Sequence, residues 1–283
     1  MSTPSRHELR IRRLLLALDA TCNDENCLTI AVELAARLEV DLAGLFVEDV
    51  NILRSAALPF VRQFSPLTAS AAPFEYDEAE RELRRFASKL ERQLSAAADQ
   101  RRVRWTFRVV RGLAAREVAQ AALDTDLVAV AETAPRALML SSVSRTVREA
   151  IREAGRTLLL LRPGVKAEGP IVMIYDGSPA ADEALDVALK LLVGIEAALE
   201  VFLVGESAER ATKLAQLLRE RAAGHGTPIR IHRFASGDFS LVRRALLELN
   251  AGFLILPTQP GGFTARVVDE ITQGLPCPVL FVP

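Results

Sequence analysis

The chain has 283 residues, half of them apolar and a quarter charged, and its 35 basic and 36 acidic residues leave a formal net charge of −1. That balance argues against nucleic acid or an anionic membrane as the main partner. No apolar run approaches the roughly 18 residues that cross a bilayer, and Cys22, Cys27 and Cys277 are too few and too scattered for a disulfide framework.

The first 13 residues are polar and Arg-rich and lack the apolar stretch and cleavage site of a secretory leader, so the chain reads as cytoplasmic. Residues 14–18 form a short apolar run ending at Asp19. Leu28, Ala31, Leu34, Ala35 and Leu38 follow at helical spacing, and 42–47 is a second strand-like run. A charged helix is predicted over 76–100, with Leu83, Phe86, Leu90 and Leu94 on one stripe. Residues 103–110 alternate as a strand, 114–123 read as a helix, 127–131 as a strand, 144–153 as a helix and 157–161 as a strand.

The order then repeats. Residues 171–175 form an apolar run ending at Asp176, and Leu185, Ala188, Leu191 and Leu192 mark the next helix. Strands are predicted at 201–204, 229–234, 253–256 and 279–282, with helices at 213–223 and 241–249. Two Pro-Gly or Gly-Pro pairs at 163–170 break regular structure and read as a linker, 164–169, between a first unit (1–163) and a second (170–283). Strand–helix alternation with short, fully apolar strands implies parallel sheets covered by helices on both faces.

The repeat can be followed by offset. At 157, Asp19 meets Asp176, Leu28 meets Leu185, Leu34 meets Leu191 and Val47 meets Val204. The offset falls to 125 where Gly112 meets Gly237, and to 121 where Gly155 meets Pro276. The first unit therefore carries about 32 extra residues, within 48–80, rich in Pro and Phe (Pro59, Phe60, Phe64, Pro66, Pro73, Phe74). An insert of this length reads either as a mobile cover or as a lid or partner surface over the crevice at the carboxyl ends of the strands.

The stretch 171–185, IVMIYDGSPAADEAL, resembles the universal stress protein family in its tandem two-domain form. The end of the chain, Leu275-Pro276-Cys277-Pro278-Val279, is similar to that family's closing strand, and Ser141-Ser142-Val143-Ser144 to the start of its last helix. The resemblance implies an adenine nucleotide alpha hydrolase-like α/β fold. It would hold two repeated open parallel five-stranded sheets flanked by helices, with the two units pairing through edge strands as in family dimers.

Many members of that family bind ATP on a Gly-x-x-Gly loop and a following Gly-Ser or Gly-Thr helix start. Glycines let backbone N–H groups approach phosphate, and the helix N-terminus adds positive potential. In the first unit Ala131 and Ala134 stand at the glycine positions, Glu132 lies between them, and Ser141 replaces the last glycine while Ser142 remains. In the second unit the glycine positions hold Pro257 and Pro260, and proline has no N–H to donate.

The candidate ligand or nucleotide residues are Asp19, Val47, Ala131, Ser141, Ser142, Val143, Ser144, Asp176 and Ser178. Each polar one has a plainer reading. Asp19 and Asp176 suit a turn or cap, Ser178 before Pro179 suits an N-cap, and Ser141, Ser142 and Ser144 suit caps of the last helix. His7, His225 and His232 form no metal-ligand spacing, and no nucleophile elbow or Walker sequence is present. The expected function is therefore a non-catalytic cytoplasmic stress-response protein acting by ligand or partner binding, with no firm cofactor. The alternative is an ATP or adenine-nucleotide binder, or weak ATPase, using Asp19, Val47 and Ser142 of the first unit. The expected partners are the two units themselves and a second copy of the chain, with neither nucleic acid nor membrane.

Overall fold

A computed structural model of the chain describes residues 11–18, 25–56, 58, 62–65, 70–73, 76–131, 155–162, 164–165, 167–195, 197–204, 207–235, 239–258, 265–272 and 274–283. The short apolar runs form strands because they are too short for buried helices and are apolar on both faces. In the first half these are β1 (Arg13–Leu18), β2 (Asp41–Asp49), β5 (Trp105–Gly112), β6 (Leu127–Ala131) and β7 (Thr157–Leu161). Their counterparts are β8 (Ile171–Tyr175), β9 (Leu199–Val204), β10 (Ile229–Phe234), β11 (Phe253–Pro257) and β12 (Val279–Val282). The described helices are α1 (Glu25–Leu38), α2 (Val50–Ala56), α3 (Tyr76–Arg101), α4 (Ala114–Ala122), α5 (Pro179–Leu191), α6 (Ala208–Ala223), α7 (Phe239–Glu248) and α8 (Ala265–Thr272). The helix expected at 144–153 lies outside the described residues.

All ten strands join one sheet, in the order β10-β9-β8-β11-β12-β7-β6-β1-β2-β5. Each half has its strands in the spatial order third, second, first, fourth, fifth, and every pair inside a half is parallel. The two five-stranded sheets meet in the antiparallel pair β7–β12. Val128 pairs Leu158 where its equivalent Leu254 pairs Val279, so the last strands correspond at an offset of 121. At that offset Leu159 and Leu280 are the same position, and they pair with each other. Leu158–Phe281 and Leu160–Val279 are then the same pair taken from opposite sides, as a two-fold axis requires.

One face of the sheet carries a core shared by both halves, in which α1 packs on β2, α5 packs on β8, β11 and β12, and the two helices pack on each other. Across the axis the helices exchange cations. Arg37 of α1 donates to the Leu191 carbonyl (3.0 Å), and Lys190 of α5 donates to the Leu38 carbonyl. Each thereby satisfies a carbonyl at the negative end of the other helix. The opposite face has two separate cores, one under α4 and one under α7 and α8.

The register corrects one offset. Leu42 pairs Trp105 and its equivalent Leu199 pairs Ile229, so the third strands correspond at 124 rather than 125. Burial agrees, because Trp105 and Phe107 pack on the shared core as Ile229 and Ile231 do. Gly237 lies outside the described residues.

The insert is narrower than its sequence bounds. Glu48 and Asp49 still belong to β2, and residues 76–80 already belong to α3. Between them α2 buries Leu53 and Ala56, and a hairpin pairs β3 (Arg62–Ser65) with β4 (Ser70–Pro73). The linker also docks at its end. Gly169 has a φ of +123° and lies against Gly252, whose N–H donates to the Pro170 carbonyl at 3.0 Å.

Candidate functional site

In an open α/β sheet, ligands sit beyond the carboxyl ends of the strands where the strand order reverses. This chain has two such points, between β1 and β6 and between β8 and β11. At the first, the structure places Val47 and Ala131 on either side of β1. Val47 is buried on the α4 side and pairs Val110, while Ala131 is half-buried at the end of β6 and pairs Leu161. Asp19, Ser141, Ser142, Val143 and Ser144 lie outside the described residues.

At the second point, the polar groups are bonded to one another. The Asp176 carboxylate accepts from the Ser178 N–H at 3.0 Å, with Gly177 supplying a φ of +74° in the turn. The Ser178 hydroxyl accepts from the Ala181 N–H at 3.1 Å, and Pro179 fills the first helical position of α5. Tyr175, buried at the end of β8, donates its hydroxyl to Asp182 (2.7 Å). Arg221 of α6 donates to Asp182 (2.6 Å) and Asp186 (2.5 Å). Burial, and then the bond to the Asp182 carboxylate, pushes the Tyr175 hydroxyl well above its ordinary pKa. Pro257 ends β11 without an N–H, and Thr258 donates its N–H to the Val282 carbonyl (2.7 Å). Asp176 and Ser178 therefore serve the turn and the helix cap, the plainer of their two sequence readings.

Sequence reasoning missed a charged cluster at the carboxyl edge of the first half. Arg111, near the end of β5, donates to buried Glu48 of β2 at 2.8 and 2.7 Å, and to Glu80 of α3 at 2.6 Å. Arg84 also reaches Glu80 at 3.1 Å. The hydrogen bond from Arg111, opposed by partial desolvation and helped by Arg84, holds the Glu80 carboxyl below its usual range. Asp49 accepts from the Asn51 N–H at 2.8 Å at the start of α2. Arg111 thus grips the residues just before and just after the insert. The partners are 63 and 31 positions away from it, so no local spacing announced them.

A second buried carboxylate, Glu200 of β9, bonds Arg230 (2.8 Å) and His232 (2.7 Å) of β10. The His225 ring nitrogen Nδ1 lies 3.1 Å from the Arg221 carbonyl. Among the described residues no group of three or more His, Cys, Asp or Glu is placed to hold a metal, and no helix is long and apolar enough to cross a membrane.

Neither the models of known protein families nor the curated protein sequences give a match to this chain. Solved structures do. A universal stress protein from Archaeoglobus fulgidus DSM 4304 is 16% identical, with 95% of each chain covered and a TM-score of 0.67. A putative universal stress protein from Pseudomonas aeruginosa UCBPP-PA14 is 14% identical, with 97% of this chain and 94% of that one covered and a TM-score of 0.59. The cytoplasmic domain of a prokaryotic cation chloride cotransporter is 12% identical, with 96% and 95% covered and a TM-score of 0.56. From its twice-repeated strand order and these full-length likenesses, the chain has the fold of universal stress proteins, two units in one polypeptide.

Proposed function

We propose that this is a non-catalytic, cytoplasmic stress-response protein that acts by binding a ligand or partner at the carboxyl edge of its first half. The observation that carries the reading is the inequality of the two edges. In the second half Asp176, Ser178, Tyr175, Asp182, Arg221 and Thr258 are bonded to neighbours, and Pro257 withholds a donor where phosphate would need one. In the first half Ala131 stands where the second half has Pro257, beside an insert whose feet Arg111 holds. A fold that also occurs as the cytoplasmic domain of a cotransporter is not tied to one chemistry. Incubating the pure chain with Mg²⁺-ATP and measuring ADP release tests the reading. No release above a protein-free control is expected, and turnover that disappears in Asp19→Ala overturns it.

The second reading is an adenine-nucleotide binder or weak ATPase using the first half. It is favoured by Leu18 and Ala131, which stand where the second half has the rings of Tyr175 and Pro257. Isothermal titration with ATP and Mg²⁺ decides it. Saturable heat lost in Asp19→Ala supports it, and no heat at millimolar ligand ends it.

A further inference from the structure

The ten-stranded sheet ends in β5 on one side and β10 on the other, and these are the same strand of the repeated unit. A sheet edge presents unpaired backbone groups, which proteins protect with short strands and charged side chains. β10 is protected. It has six residues, Arg230 and His232 bond the buried Glu200 of the neighbouring strand, and Arg233 donates to Thr212 at 3.4 Å. β5 is longer, with eight residues all in register with β2. At the position of Arg233 it carries Val109, which is 47% exposed. Arg111 is turned to Glu48 and Glu80 and does not guard the edge.

The register with β2 fixes which backbone groups of β5 point outward. Leu42 pairs Trp105 and donates its N–H to the Arg104 carbonyl at 2.9 Å. The parallel ladder therefore bonds β2 to the even-numbered residues 106, 108 and 110. The N–H and C=O groups of Trp105, Phe107 and Val109 face away from the sheet, and among the described residues no strand pairs them. Their side chains share one face, on which Trp105 and Phe107 pack against the core.

A second β5 complements this edge. A two-fold antiparallel pair centred on Phe107 sets Phe107 against Phe107, Val109 against Trp105 and Arg108 against Thr106. Outward-facing residues then meet each other, so the main-chain bonds close, and no Arg opposes an Arg. Centring on Thr106 opposes Arg104 to Arg108, and centring on Arg108 opposes that residue to itself. Centring on Val109 puts Phe107 against Arg111, which already serves two carboxylates. The chain uses the same kind of pairing once already, where Leu159 meets Leu280.

We propose that two copies of the chain associate through β5 in the register centred on Phe107, joining their sheets into one. The exposed Val109 is then covered by the partner's Trp105. None of these residues lines the carboxyl-edge crevice, so the dimer does not depend on what binds there.

Sedimentation velocity of the full chain at micromolar concentration tests it. The wild type is expected to sediment as a dimer. Val109→Arg copies the protected edge of β10, and Val109→Pro removes an N–H that only the dimer uses. Both variants should sediment as monomers with an unchanged circular dichroism spectrum. The register is read separately by oxidation. A mixture of Thr106→Cys and Arg108→Cys proteins should form a disulfide-linked dimer, and either protein alone, like the wild type, should not. A monomeric wild type overturns the proposal, as does a folded variant that dimerises like the wild type. Cross-linking of Arg108→Cys alone as readily as the mixture overturns the register.

Discussion

Leu159 and Leu280 are the same residue of the repeated unit, and they face each other at the centre of the antiparallel seam that joins the two halves. Both are fully buried. Because equivalent positions meet there, the surface that either half presents to the seam complements itself. Residues 170–283 expressed alone should therefore form a two-fold dimer with Leu280 against Leu280. Light scattering after gel filtration should give twice the mass of the fragment. A monomer at micromolar concentration would show that the seam needs residues peculiar to the first half.

Arg111 joins two carboxylates of different burial. Replacing it with Gln leaves Glu48 buried without its cation and should lower the urea midpoint. Glu48→Gln added to that variant should recover part of the loss in urea unfolding. Glu80 adds a pH dependence. Its folded pKa lies below the ordinary 4.5, so its stabilising bond to Arg111 is fully present above that value and is lost as pH falls through the folded pKa. The slope of the urea midpoint against pH on the acid side of 4.5 should therefore be shallower in Arg111→Gln.

The Ser178 hydroxyl caps α5, so Ser178→Ala should cost about 1 kcal/mol, read as a shift of the urea midpoint. If the residue also served a ligand, the variant would lose binding beyond what its lower stability explains. The capping role expects no such loss.

Gly252 lies against the last residues of the linker. A Cβ there would come within 2.6 Å of the Glu168 carbonyl carbon and 2.7 Å of the Gly169 nitrogen, both backbone atoms that cannot rotate away. Gly252→Ala should destabilise by about 1–3 kcal/mol, as overpacking does, with the loss seen in thermal unfolding. Gly274→Ala makes a useful contrast, since its Cβ would be close only to the far end of Arg243, and its cost comes instead from a φ of +70°.

Cys277 is buried ahead of β12, and burial pushes its thiol up to about 11. At pH 8 in the native protein it should resist iodoacetamide over the lifetime of the fold and react at once in urea. Mass spectrometry of the tryptic peptide reads either outcome.

The architecture was legible because its signals are local and doubled. Residues 14–18 and 171–175 are apolar at every position, which only a strand buried on both faces demands, and an offset of 157 carried the first helix and second strand from one half to the other. What escaped was long-range or short. Nothing near Glu48 points to Arg111, and α2, at seven residues, is too brief to show a helical period. Ser207, which caps α6, places the start of that helix at Ala208, ahead of the apolar residues that predict it from 213. Of the candidate site, Asp176 and Ser178 were legible in their capping role because an Asp-Gly-Ser-Pro turn encodes its own hydrogen bonds. Residues 132–154 lie outside the described residues, so the serines at 141, 142 and 144 stand as sequence readings.

The seam also has a kinetic and evolutionary side. Two separate copies meeting through β7 and β12 would come apart on dilution, but here one chain carries both, and a short tether sets an effective concentration in the millimolar range. Association no longer depends on expression level. Nor must the two partners share a sequence, since a self-pairing protein changes both sides of its dimer with every substitution and a fused one changes a single side. Phe202 and Phe234 at the positions of Leu45 and Val110, or Tyr175 at that of Leu18, are differences that a self-pairing chain could not keep.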